Sequence, residues 1–460
     1  MFKKLLVANR GTIAIRIIRA CRELGIRTIA IYSTADQESL HVRMADEAVC
    51  IGPAAAEDSY LNIPAIISAV LTYGADAVHP GYGFLSENGD FAEACRRSGV
   101  NFVGPRARHI RLMGDKPRAR RIMRRAGVPV LPGSEGTGVT ELREAQADAK
   151  RLGFPVLIKA AAGGGGKGMR VAREMHELGR LFPLARAESE AAFGSRTMYL
   201  EKYLERARHV EFQILADNHR ASMHLGERDC SIQRRHQKVL EEAPCPVMTK
   251  RLREKMGKAA LRAAEVVGYS NVGTVEFLLA PDGQFFFIEM NTRIQVEHGV
   301  TEMVTATDLV KESIRIATGE PLDPKRRQVE VVGSAIEFRV YAEDPDTHLP
   351  SPGVVYNHHA PGGLGVRVET ALYDGYQVPV HYDPLIAKLI VHAADRGLAI
   401  GRGKAALREY VIDGIKTNIP LHLKILDDPD FGAGEFSTDF LTRYELPKRP
   451  AIERRAAKAS

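Results

Sequence analysis

The 460-residue chain has no tryptophan and five cysteines, Cys21, Cys50, Cys95, Cys230 and Cys245. They are odd in number and scattered, with no Cys-x-x-Cys pair. That argues against a disulfide framework or a thiolate zinc site and fits a reducing compartment. A buried spectator role for Cys230 outweighs a nucleophilic one. No apolar run is long enough to cross a bilayer. Met1 to Ala8 begins like a signal peptide, but Asn9-Arg10 interrupts it and no cleavage site follows. The expected location is therefore cytoplasmic, with no membrane attachment. There is no internal repeat. Aromatics are absent from the densest basic run, Lys116, Arg118, Arg120, Arg121, Arg124 and Arg125. At helical spacing it reads as a solvated helix face, not a nucleic-acid groove. The net charge of +7 fits anionic ligands.

Two familiar glycine motifs are missing as well. Asn9-Arg10-Gly11 has one glycine after the first strand, so the dinucleotide fingerprint is absent. Gly163 to Gly168 matches Gly-x-Gly-x-x-Gly in form, but a strand follows it. A P-loop fails on Ala161 and on Gly168, which stands where Ser or Thr is required. What remains is a hairpin tip, Gly164, Gly165, Gly166, Lys167 and Gly168, able to wrap phosphates and to close as a lid.

Against these absences stand alternating strands and helices. Residues 2–8, Thr28–Tyr32 and Ala75–His79 read as strands, with helices over Ile13–Leu24 and Pro64–Leu71 between them. That pattern predicts an open parallel sheet, with the loop His79–Asn88 at a carboxyl end where ligands bind. Strands are expected at Pro155–Ala160, Met169–Ala172, Met198–Leu204 and Ser334–Tyr341. The length suggests about three domains. Their expected limits are 1–114, 115–330 with a lid at about 130–204, and 331–446, followed by a basic tail at 447–460.

The densest chemistry lies in Glu289-Met290-Asn291-Thr292-Arg293-Ile294-Gln295-Val296-Glu297-His298. In an extended chain Glu289, Asn291, Arg293, Gln295 and Glu297 share a face. Upstream, Gly273–Ala280 and Phe285–Ile288 flank Asp282-Gly283, a two-residue hairpin signal. That turn sets Glu276 directly opposite Glu289, about 5 Å apart, which is unfavourable unless a cation lies between them. Hard oxygen donors suit magnesium or manganese. Nine extended residues would reach roughly 26 Å, too far for one reacting centre. A bend is expected after about Asn291. His209, Glu211 and Gln213 alternate with apolar residues on a further strand.

Together with Ala8–Gly11, His79–Asn88, Glu201–Leu204 and Glu227–Lys238, the Glu289–Glu302 run carries a resemblance to the biotin carboxylase family of ATP-grasp enzymes, over roughly Met1–Leu446. The resemblance implies an α/β and α+β fold: an N-terminal open parallel sheet, a central ATP-grasp domain with a mobile glycine-rich lid, and a mixed C-terminal domain. It implies ATP held by Lys116, Lys159, Met169, His209, Gln233, His236, the glycine loop and the hinge Glu201, Lys202, Tyr203, Leu204. Two magnesium or manganese ions would sit on Glu276, Glu289 and Asn291. Bicarbonate would be held by Lys238, Arg293, Gln295 and Val296, with Glu297 as base. Arg339 would stabilise the biotin enolate, with Tyr82 and Asp383 in the biotin motifs. Ala162, Lys167 and Gly299 depart from the usual family pattern. No Met-Lys-Met motif is present, so biotin is expected on a separate carrier protein, with carboxyltransferase subunits as further partners. A homodimer is implied, with Arg19, Glu23 and Arg367 as candidate contacts. Acetyl-CoA carboxylase and fatty acid biosynthesis form the favoured setting, with propionyl-CoA and pyruvate carboxylases as alternatives. The competing classes are another ATP-grasp ligase and a non-catalytic protein that binds nucleotide for regulation.

Overall fold

The computed structural model describes residues 1–134, 138–161, 169–323 and 329–444. Gly164, Gly165, Gly166, Lys167 and Gly168, and the tail 447–460, lie outside the described residues.

Five parallel strands open the chain, in the spatial order Glu47–Gly52, Arg27–Ser33, Lys4–Val7, Ala77–His79, Asn101–Phe102. Leu5 and Val7 enter one apolar core and Leu6 the other, so both faces of the central strand are covered by helices. The strand order reverses at Lys4–Val7, and the loops leaving it and Ala77–His79 part there, as ligand sites of such sheets require. Asn9 ties these loops together: its Nδ2 donates to the carbonyls of Pro80 and Tyr82, each at 2.7 Å.

An eight-stranded antiparallel sheet dominates the rest. Its order is Phe285–Asn291, Asn271–Leu279, Arg208–Ala216, Ser222–Arg234, Gln237–Ala243, Ser334–Tyr341, Leu385–Ala393, Val366–Thr370. It runs without a break across residue 331, because Leu240 to Ala243 pair with Ala335 to Phe338. The helix Lys250–Val267 covers one face over Val210, Phe212, Ile214, Val275, Phe277 and Phe287. Phe277 packs edge-on against Phe212, Phe285 and Phe287. Strand alternation then turns His209, Glu211, Gln213, Thr274 and Glu276 to the other face. A smaller sheet, Arg170–Ala172, Val156–Ala160, Met198–Lys202, stands beside this one under the helices Leu142–Leu152 and Met175–Phe193.

The hairpin that carries the two glutamates corrects the expected turn. The loop has three residues, Pro281, Asp282 and Gly283, closed by Ala280 N–H to Gln284 O at 2.8 Å, with Gly283 at φ +82°. Leu279 therefore pairs with Phe285 and Phe277 with Phe287, one residue out of the predicted register. A β-bulge at Ile288 restores it, and Glu276 faces Glu289 after all. The bulge also switches faces. Phe285, Phe287 and Met290 all reach the apolar core, while Ile288, Glu289 and Asn291 border the opposite side. Without the extra residue Glu289 would point into phenylalanines. The strand ends at Asn291, where a bend was expected, and the helix His298–Thr305 begins just beyond Glu297.

Candidate active site

Between the parallel sheet, the eight-stranded sheet and the small sheet lies a cleft of about 1060 Å³. Lys116, Lys159, Met169, Glu201, Lys202, Tyr203, Leu204, His209, Gln233, His236, Lys238, Glu276, Glu289, Asn291, Arg293, Gln295, Val296, Arg339, Tyr82 and Asp383 all border it. Glu297 lies just beneath, fully buried, at the start of the helix His298–Thr305.

Lys238 is the centre of this arrangement. Its ammonium donates to Glu211 at 2.6 Å, Glu276 at 3.0 Å and Glu297 at 2.6 Å. Three buried carboxylates around one ammonium cannot all ionise freely. Burial pushes each of them up. Lys238 and His209 outweigh that at Glu276, and Lys238 and Arg339 outweigh it at Glu297, so both are held well below the usual carboxylate range. Glu211 is left raised. Behind it Arg228, also fully buried, donates to Glu211 at 2.6 Å, Gln213 at 2.6 Å, Thr301 at 2.9 Å and Thr274 at 3.1 Å. It thus fastens three strands and a helix under the carboxylates. Cys230 is buried 3.8 Å from Glu297, and burial raises its thiol far above neutrality. It stays protonated and is no nucleophile.

Arg339 holds the other oxygen of Glu297 at 2.9 Å and pairs with Glu241 at 2.5 Å. Across the strand pair from Glu241 stands Glu337, fully buried, with neither oxygen hydrogen-bonded among the described residues. Burial pushes its carboxyl up to about 8, against the pull of Lys388. A raised folded value means that Glu337 binds its proton more tightly in the native state. Its stabilising effect is whole below the unfolded value and is lost as pH rises through about 8. Glu337→Gln, which copies the neutral form, is expected to flatten this dependence. Urea unfolding at about pH 6.5 and about pH 8.5 should show the native chain losing about 1–2 kcal/mol more than the variant. Equal slopes would refute the protonated assignment.

At the far end of the cleft, Glu201 is clamped between Lys159 and Arg120, the latter at 3.1 Å. Lys116 pairs with Glu289 at 2.9 Å. His209 touches Glu276 at 3.0 Å and Gln233 at 2.9 Å; burial opposes its protonation, but Glu276 prevails and its pKa is raised. Gln233 lies just before a two-residue turn, Arg235-His236, in which both residues have positive φ. Bulky residues rarely accept that conformation, and such strain gathers at functional sites. At the opposite end Tyr82 bonds Thr12 at 3.0 Å, and Asp383 is exposed, accepting from Leu385 N–H at 2.9 Å.

Glu276, Glu289 and Asn291 present carboxylate and amide oxygens, the donor set that suits a divalent cation. Lys116, Lys238 and His209 now balance the two glutamates. Asn291 Nδ2 donates to Glu276 at 2.8 Å, and Gln295 Nε2 does so at 3.2 Å. Arg293 is braced by Glu87 at 2.9 Å and bonds Gln295 at 3.0 Å. Glu87, Arg228, Glu241 and Lys388 were not singled out from the sequence. A charged residue inside an apolar strand, as in Leu385-Ile386-Ala387-Lys388-Leu389-Ile390, was the available signal for Lys388.

Comparison with known proteins matches this geometry. Residues 1–110 match the family model "Biotin carboxylase, N-terminal domain", 115–325 "Carbamoyl-phosphate synthase L chain, ATP binding domain", and 337–443 "Biotin carboxylase C-terminal domain". The chain is 56% identical to biotin carboxylase 1 of Bacillus subtilis, over 97% of this chain and 99% of that one. It is 55% identical to the biotin carboxylase of Haemophilus influenzae, over 96% and 99%. A crystal structure of the biotin carboxylase domain dimer of Hydrogenobacter thermophilus 2-oxoglutarate carboxylase, with MgADP, ADP and bicarbonate, superposes with a TM-score of 0.93 at 50% identity, covering 96% of this chain and 98% of that one. The chain belongs to the biotin carboxylase family of ATP-dependent ligases.

Proposed function

We propose that the cleft carries out the ATP-dependent carboxylation of biotin in the following way. ATP lies along Lys116, Lys159, His209 and the Glu201–Leu204 segment, which reads adenine through its backbone. Magnesium or manganese, held by Glu276, Glu289 and Asn291, neutralises phosphate charge when bound. Bicarbonate sits over Lys238, Arg293, Gln295 and Val296, and Glu297 takes its proton. Arg339 steadies the biotin enolate, with Tyr82 and Asp383 nearby.

The observation that carries this reading is the double grip on Glu297 by Lys238 and Arg339. While both cations hold it, Glu297 is a weak base. A bicarbonate ion drawn against the same cations competes for them, and the carboxylate then regains basicity beside the proton it must remove. Bicarbonate is a poor nucleophile until that proton leaves. Attack on the γ-phosphate gives carboxyphosphate and ADP, and the carboxyl group then passes to the ureido nitrogen of biotin with release of phosphate.

The carrier of biotin is a separate protein, and carboxyltransferase subunits take the carboxyl group onward. Acetyl-CoA is the favoured acceptor, in cytoplasmic fatty acid biosynthesis, with propionyl-CoA and pyruvate as alternatives. The division into 1–114, 115–330 and 331–446 describes units that act together. Two copies pair through surfaces that include Arg19, Glu23 and Arg367. Arg19 and Glu23 are exposed, and Glu23 pairs with Lys311. The decisive test is ATP turnover with magnesium, bicarbonate and free biotin. Turnover that requires bicarbonate and rises with biotin is expected. Folded, magnesium-loaded protein that shows no biotin stimulation would overturn the reading.

A further inference from the structure

Lys388 is one of the largest fully buried side chains of the protein. It stands mid-strand in Leu385–Ala393, paired across the sheet with Arg339 on one side and Glu369 on the other. Its ammonium donates to the carbonyl of Val296 at 2.6 Å and pairs with Glu369 at 2.7 Å, with Glu337 at 3.6 Å. Burying an ammonium is costly unless it is matched, and the Glu369 carboxylate at 2.7 Å matches it here. A purely structural account would have Lys388 neutralise Glu369. Glu369, however, already pairs with Arg367 and lies 3.8 Å from Arg16. Among the described residues, only Lys388 donates to the Val296 carbonyl, 92 positions away in the chain.

That carbonyl belongs to the peptide joining Val296 to Glu297. The peptide is planar and trans, so fixing its C=O downward on Lys388 directs its N–H, that of Glu297, the opposite way. Val296 borders the cleft and Lys388 lies beneath it. The same bond fixes where the Glu297 side chain leaves the backbone, and hence its reach to Lys238 and Arg339. We propose that Lys388 is a positioning residue for the bicarbonate step, holding the Val296–Glu297 peptide from below so that its N–H faces the anion and the Glu297 carboxylate meets the substrate. The inference rests on the functional reading above. It adds a residue that touches no substrate and works through another's backbone.

The test separates this role from charge balance. Lys388→Met is expected to raise KM for bicarbonate about tenfold or more and to lower kcat, with KM for ATP unchanged within about twofold. Lys388→Arg, which keeps a charged donor, should recover part of the loss. The double variant Lys388→Met/Glu369→Gln removes both partners of the ion pair. It is expected to fold where the single variant is strained, yet to keep the raised bicarbonate KM. A double variant with native bicarbonate KM would show that Lys388 only balances charge, and would overturn the proposal. So would a folded Lys388→Met with an unchanged bicarbonate KM, or one whose KM for ATP rises equally. Native protein without biotin-stimulated, bicarbonate-dependent turnover would instead count against the functional reading itself.

Discussion

Glu297→Gln is expected to reduce biotin carboxylation by about a hundredfold to ten-thousandfold while ATP still binds. Glutamine has the same shape and is nearly the same size, so the helix His298–Thr305 should keep its place. What it lacks is a basic oxygen. Lys238 would retain Glu211 and Glu276, and Arg339 would retain Glu241. The groups at the far end of the cleft, Lys159, Glu201 and Lys116, have as ion-pair partners among the described residues one another, Arg120 and Glu289, not Glu297. Fixation of labelled bicarbonate onto free biotin gives the rate, and calorimetric titration with a non-hydrolysable ATP analogue gives the affinity. A variant that loses nucleotide affinity as severely as turnover would mean that Glu297 organises the cleft and does not act as its base.

Arg228→Met should cost up to about 3–5 kcal/mol of stability, because it removes one of the two cations that hold the buried carboxylate of Glu211. The same change also leaves Gln213, Thr274 and Thr301 short of a donor. Lys238 would still hold Glu211, which keeps the loss below that of a fully isolated charge. Denaturant unfolding measures it. Adding Glu211→Gln to Arg228→Met should recover part of the loss, since the buried charge is gone. No recovery would show that lost packing, not the charge, sets the cost.

The sequence made the polar face of the Glu276–Glu289 hairpin legible, but by a route the structure amends. Asp282-Gly283 suggested a two-residue turn, whereas the chain uses three and then repays the slip with a bulge at Ile288. Nothing local distinguishes these routes, because Phe285 to Ile288 are apolar throughout and satisfy either register. The end of the strand at Asn291 followed from distance alone. For Lys116, His209, Lys238 and Arg339 the expected roles came from resemblance alone, and the four residues border one cleft. Arg228, Glu241, Glu337 and Lys388 were harder to read. Each is a charge buried in a strand, and its partner comes from another strand or helix. Such a residue looks the same as one on a solvated edge until the pairing of strands is known.

The unbroken eight-stranded sheet has a consequence for exchanging parts of the chain. Family comparison divides the chain near residue 330 into segments that are recognised separately. Yet Lys238 and Glu241 come from before that point, and Arg339, Glu337 and Lys388 from after it, on hydrogen-bonded neighbouring strands. A chimaera that replaced one segment with a foreign counterpart would have to match four backbone pairings and a buried set of charges at once. The two segments therefore work as halves of a single charged centre, and a change in either is felt in the other.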